Sequence, residues 1–136
     1  MIDKKWIGHV LSPSEMTLDR SRLRFFAKAI GETAEQYTDV AAAKAAGYAD
    51  LPAPPTFLFG AELDSGTTYQ LLDLLQVPVT KLLHGEQSFS YHLSACAGDT
   101  VTVQSVIDDI YDKKNGALEC VVKTSRATNQ KIELVA

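Results

Sequence analysis

Residues 51–63 read Leu51-Pro-Ala-Pro-Pro-Thr-Phe-Leu-Phe-Gly-Ala-Glu-Leu63, a proline cluster followed by a run that is apolar on nearly every side. Proline fixes its own φ and drives the preceding residue out of the α region, so the first half of this stretch is extended. Pro55 suits the first turn of a helix, and the run predicts a helix from Pro55 to about Leu63. A helix that is apolar almost all round must be buried. Something else in the chain has to wrap it.

The wrapping material lies downstream. Residues 88–95, 100–108 and 117–128 alternate with period two, with Val101 and Val103, then Leu118, Cys120 and Val122, marking one face. Gly98-Asp99 and Asn115-Gly116 punctuate them, which predicts antiparallel strands joined by tight turns. Residues 131–136 read as a closing strand that is cut short. Upstream, Asp19 caps a run ending at Gly31 in which Leu23, Phe26 and Ile30 recur at helical spacing. Asp39 caps a second, alanine-rich helix that runs to Ala46 and stops at Gly47. A helical first half and a stranded second half predict one α+β domain over residues 1–136, an antiparallel sheet wrapped around a central helix.

Composition narrows the function classes. A chain of 136 residues with 46% apolar residues can bury a core without disulfides or metals. The formal charge of -4, with Lys and Arg scattered among Asp and Glu, argues against nucleic acid and anionic membranes as partners. Cys96 and Cys120 stand far apart and outside any CxxC spacing, and charged residues occupy Met1-Ile-Asp-Lys-Lys-Trp6 where a signal peptide would be apolar. The expectation is a reduced, cytoplasmic protein without a membrane span. His9 and His92 have no partner at metal-ligand spacing, so no metal site is expected.

On the residues alone, the best site is the proline loop beside His84. His84, Gly85 and Glu86 suit a general base with a carboxylate on the same strand face, or equally a polar strand start at a subunit interface. Phe57 and Phe59 suit the core or an acyl contact.

Three blocks carry a resemblance: Phe26-Ala-x-Ala-Ile-Gly31 running to Tyr37-x-Asp39, Ala45-x-Gly47-Tyr48 to Ala53-Pro-Pro-Thr-Phe57, and Leu83-His-Gly-Glu-Gln-Ser-Phe89 with Gly98-Asp99 after it. In order and spacing the chain resembles the MaoC-like (R)-specific enoyl-CoA hydratase/3-hydroxyacyl dehydratase family. The resemblance implies a hot-dog fold and paired protomers whose sheets run on continuously. It also implies an acyl thioester of CoA or acyl carrier protein at the subunit interface, with no cofactor. It would place Pro54, Pro55, Thr56, Phe57, His84, Gly85 and Glu86 along the substrate channel.

One block departs from the family. Its hydratase motif reads Gly-Asp-x-Asn-Pro-x-His-x-Asp, and this chain has Gly31-Glu32-Thr33-Ala34-Glu35-Gln36-Tyr37-Thr38-Asp39. Glu32 and Tyr37 thus stand where the family's catalytic Asp and His hold the attacking water. A Glu adds a methylene, and an ångström of misplacement costs about a hundredfold in rate. A phenol with a pKa of about 10 is a poor proton shuttle at neutral pH. The pattern resembles the substrate-binding halves of two-part hydratases, paired with a dyad-bearing second hot-dog subunit. The alternative is a homodimeric acyl-CoA-binding or regulatory protein without turnover.

Overall fold

The computed structural model describes all 136 residues. Helix α1 spans Arg20–Ala29 and α2 Val40–Ala45, each started where predicted: Asp19 accepts N–H bonds from Ser21 and Arg22, and Asp39 from Ala42. Helices α3 (Phe59–Asp64) and α4 (Thr67–Leu75) follow one another around Gly66, whose φ of +75° only glycine adopts without strain. Strands β1 (Ser14–Thr17), β2 (Thr100–Lys113) and β3 (Leu118–Thr128) form an antiparallel sheet in the order β1-β2-β3. The β2–β3 turn carries Lys114, Asn115 and Gly116 at positive φ, as the Asn-Gly pair foretells.

The core sits between the sheet and the helices. Leu18, Leu23, Leu51, Phe57, Leu58 and Ala61 pack with Val101 and Val103 of β2 and with Val135. A smaller cluster of Leu75, Ile107 and Ile110 lies under α4. The two are separated by polar chemistry. Glu62 of α3 is buried, and its Oε1 accepts hydroxyl bonds from Ser105 and from Ser125 at 3.0 Å, while Oε2 receives the Lys123 ammonium. Ser105 and Ser125 are cross-strand partners 2.8 Å apart. A second group of hydroxyls, Ser14, Ser65 and Thr67, joins β1 to the α3–α4 junction at 2.7–2.8 Å.

Three expectations need correction. The helix begins at Phe59, not Pro55: Thr56 has φ +73°, and residues 57–61 are linked by three-residue steps such as Phe57 N–H to Pro54 O. Proline constrains its own φ and not that of the next residue, and Tyr91 offers Thr56 N–H an outside acceptor at 2.8 Å. Nor is the helix apolar all round, since Glu62 is buried and Leu63 is half exposed. Residues 88–95 form no strand. Val135 is held by Ala127 on one side and by His92 and Leu93 on the other, but residues 83–91 make no main-chain pairing at all. Alternation supplies a face, and a strand also needs a ladder. Helix α4 and strand β1 lay outside the sequence reading.

Burial pushes the Glu62 carboxyl up, but hydrogen bonds from Lys123, Ser105 and Ser125 outweigh it, and the net shift is below the ordinary glutamate value of 4.5. A depressed folded pKa means that the stabilisation is complete at neutral pH and is lost as pH falls through that value. Glu62→Gln leaves Lys123 without its counter-charge and should cost about 2–4 kcal/mol in urea unfolding at pH 7. The gap between wild type and variant should narrow steadily from pH 5 to pH 3; a constant gap would remove the carboxylate from this role.

Candidate functional site

The proline loop is fastened at both ends. Ala53 N–H donates to Ala95 O and Ala97 N–H to Leu51 O, each at 2.8 Å, so residues 51–53 lie against residues 95–97. Asp50 accepts from Leu51 N–H at 2.8 Å and from Arg20 Nε at 2.9 Å, which clamps the loop to α1. The Arg20 guanidinium, with help from the Leu51 N–H, holds the Asp50 carboxyl down at about 2. The turn at residues 96–99, next to that clamp, is shaped by Gly98 at φ +96° and by Asp99, whose carboxylate accepts from Cys96 N–H and from Gln130.

At the loop's tip, Thr56 holds a left-handed conformation that is an outlier for a β-branched residue. Such strain persists only where the surroundings over-determine it. Here the Tyr91 hydroxyl accepts the Thr56 N–H, and Phe57 N–H is used by Pro54 O. Tyr91 and Pro54 thus occupy the N–H groups of Thr56 and Phe57, while the N–H of Leu58, at the start of α3, donates no hydrogen bond.

Two hollows flank it. One of about 180 Å³ carries Tyr37, Tyr48, Tyr91 and His92 around Pro54 and Pro55. The other, about 370 Å³, is an apolar groove lined by Phe26, Phe57, Phe59, Leu63 and Phe89, with Arg22 and His84 among its polar residues. Aromatic rings build its walls: Phe26 meets Phe57 edge to face at 5.2 Å, and Phe59 lies 5.2 Å from His84. Phe89 stacks on Tyr91 at 5.4 Å, joining the two hollows.

The residues singled out from sequence are distributed unevenly. Pro54, Pro55 and Tyr37 line the smaller hollow; Thr56, Phe57 and His84 line the groove. Gly85 and Glu86 are exposed and line neither. Glu32 lines neither either: its Oε1 accepts the N–H groups of Thr33 and Ala34, both at 2.8 Å, and so closes its own turn. No three His, Cys, Asp or Glu side chains converge in a metal-binding group. Tyr91, Tyr48, Phe89 and Arg22 were not anticipated. Phe89 and Tyr91 stand two apart, the spacing that puts side chains on one side of an extended chain, and that signal was readable.

Residues 5–136 match the sequence model of the FAS1-like dehydratase domain region. A UPF0336 protein of Streptomyces avermitilis is 36% identical over 110 residues, covering 80% of this chain and 73% of the relative. The structure of the C-terminally truncated HadBC (3R-hydroxyacyl-ACP dehydratase) complex from Mycobacterium tuberculosis superposes with a TM-score of 0.81 at 27% identity, over 96% of this chain and 90% of that one. An (R)-hydratase from A. caviae involved in PHA biosynthesis gives 0.70 at 19% identity, over 95% and 89%. The fold is the hot-dog fold that the resemblance implied.

The strain at Thr56 is open to direct measurement. Thr56→Gly should stabilise the protein by about 1 kcal/mol, since glycine adopts this φ freely. Tyr91→Phe should lose about 0.5–1.5 kcal/mol with the hydrogen bond. Urea unfolding of both variants decides it, and a destabilised Thr56→Gly would contradict the left-handed loop.

Proposed function

The chain belongs to the FAS1-like dehydratase domain family, and on that premise we propose that it is the acyl-thioester-binding half of a two-subunit hydratase/dehydratase. The reaction is the reversible hydration of a 2-enoyl thioester: hydroxide adds at the third carbon, a proton at the second, and an (R)-3-hydroxyacyl thioester results. A second hot-dog subunit supplies the Asp/His dyad that activates the water. This chain supplies the groove.

The observation that carries the reading is the fate of the dyad positions. Glu32 spends its carboxylate on its own turn, and Tyr37 replaces the imidazole at the wall of the smaller hollow. Neither arrangement moves a proton to or from water well at neutral pH. The groove, in contrast, is preformed: its rings are packed on one another, and binding an acyl chain there immobilises little. Residues 83–91, with Leu83 and Tyr91 exposed and no main-chain pairing, offer the second subunit an edge beside both hollows. The 27% identity to a chain of the HadBC dehydratase complex supports pairing with a second hot-dog subunit.

Assayed alone by the absorbance loss of crotonyl-CoA or a longer enoyl-CoA, the protein should turn over at least about a thousandfold below an ordinary enzyme rate of about 10 per second. Co-expression with a hot-dog chain that carries the intact Gly-Asp-x-Asn-Pro-x-His frame should yield a stable complex with full activity. Ordinary turnover by the isolated chain would make it self-sufficient, and acyl-CoA binding without activity in any pairing would make it a binding protein. Sedimentation at micromolar concentration should show a dimer, and a stable monomer would argue against the edge.

A further inference from the structure

The wall between the two hollows is built in two unlike ways. One part is the proline loop, whose successive residues face opposite sides: Pro55 lines the smaller hollow and Thr56 the groove, then Phe57 the groove and Leu58 the smaller hollow. That part is fixed, because residues 51–53 are bonded to residues 95–97 and Phe57 and Leu58 are buried. The other part is a pair of rings. Phe89 lines the groove and Tyr91 the smaller hollow, with centroids 5.4 Å apart and planes 8° from parallel. No ladder holds these rings, since residues 83–91 make no main-chain pairing. Their own stacking and the bond from Thr56 N–H to the Tyr91 hydroxyl, 2.8 Å long, close the wall.

The groove runs from polar to apolar. The exposed side chains of Arg22, His84 and Gln87 form its rim, and half-buried Phe26 and Phe89 with buried Phe57 form its interior. A hydrocarbon chain entering from water moves toward the rings. Behind the Phe89–Tyr91 pair the chemistry changes, because Tyr37, Tyr48, His92 and Ser94 bring hydroxyls and an imidazole to the smaller hollow. Hydrocarbon pushed among them would strip those groups of water without returning a hydrogen bond.

We infer that the Phe89–Tyr91 stack sets the length of acyl chain that the groove accepts. Phe89 is the end stop, and Tyr91 is the positioning residue that holds it, through the stack and through Thr56. This rests on the acyl-thioester reading above and deepens it by naming the class, thioesters of medium-length chains. A dry cavity of about 150 Å³ holds one benzene, and on that scale the groove's 370 Å³ takes roughly a dozen carbons. The 180 Å³ beyond the stack adds room for about six more once the stop is removed.

The test is a calorimetric titration of the complex with the dyad-bearing subunit, or of the homodimer, with butanoyl-, octanoyl-, dodecanoyl- and hexadecanoyl-CoA. Saturated chains cannot be hydrated, so binding is read alone. Wild-type affinity should climb by up to about fourfold per methylene as far as dodecanoyl-CoA and gain nothing more at hexadecanoyl-CoA. Phe89→Ala should raise hexadecanoyl-CoA affinity at least about tenfold, with butanoyl-CoA held within about threefold. Phe89→Trp should act in the opposite sense and end the climb near octanoyl-CoA. Tyr91→Phe keeps the ring and loses the Thr56 bond, and should show part of the Phe89→Ala gain at hexadecanoyl-CoA only. A ring that merely supports the fold gives a different result: Phe89→Ala and Phe89→Trp would leave the profile unmoved or lower it equally at every length. That outcome, or a wild-type affinity that keeps climbing to hexadecanoyl-CoA, overturns the inference and leaves the acyl-thioester reading standing. Wild type that binds none of the four removes both.

Discussion

A carboxylate buried under a sheet is a severe constraint, and Glu62 imposes it on everything around it. Removed from water without partners, such a group would cost several kcal/mol. Ser105, Ser125 and Lys123 must therefore meet it, and they come from two strands and from sequence positions 43 to 63 residues away. That requirement fixes how α3 lies across β2 and β3. The Ser105–Ser125 pairing fixes the strand register at the same point, because a one-residue slip would turn one hydroxyl to the other face. With α3 set, the loop that enters it, and the two hollows beside that loop, are set as well.

Much of this was legible in the chain. Caps at Asp19 and Asp39, the Asn115-Gly116 turn and the alternation of β2 are local chemistry, and local chemistry can be read one residue at a time; on β3 the face marked by Leu118, Cys120 and Val122 turns outward instead, with Leu118 and Val122 exposed and Val121 and Ala127 toward the core. The family frame around Gly31 and Asp39 was legible too, including its substitutions. What escaped has a common physical cause. Glu62, Ser105, Ser125 and Lys123 are individually ordinary polar residues, and their meaning appears only when the fold brings them together. The conformation of Thr56 depends on Tyr91, 35 residues away. Residues 88–95 have the pattern of a strand, but hydrogen bonding is a property of neighbours. Helix α4 follows a threonine-rich opening that gave its leucines no clear cap, and β1 has only four residues.

The site has the character of a cradle. Its walls are interlocking rings, and the Glu32 carboxylate is folded back on its own backbone. Groups arranged in this way hold a ligand's shape, whereas catalysis of hydration asks for groups left unsatisfied until the transition state.

The hydrogen bond from Thr56 N–H to Tyr91 Oη ties a strained loop to an extended segment that has no ladder of its own. Thermodynamic linkage makes such a tie reciprocal. Whatever immobilises residues 83–91 also narrows the motion of the loop, and whatever fills the hollows beside the loop stiffens the segment in return. On the proposed function, assembly and ligand capture would be two readings of a single coupling free energy, transmitted through the Tyr91 phenol, and amide exchange at Thr56 would follow both.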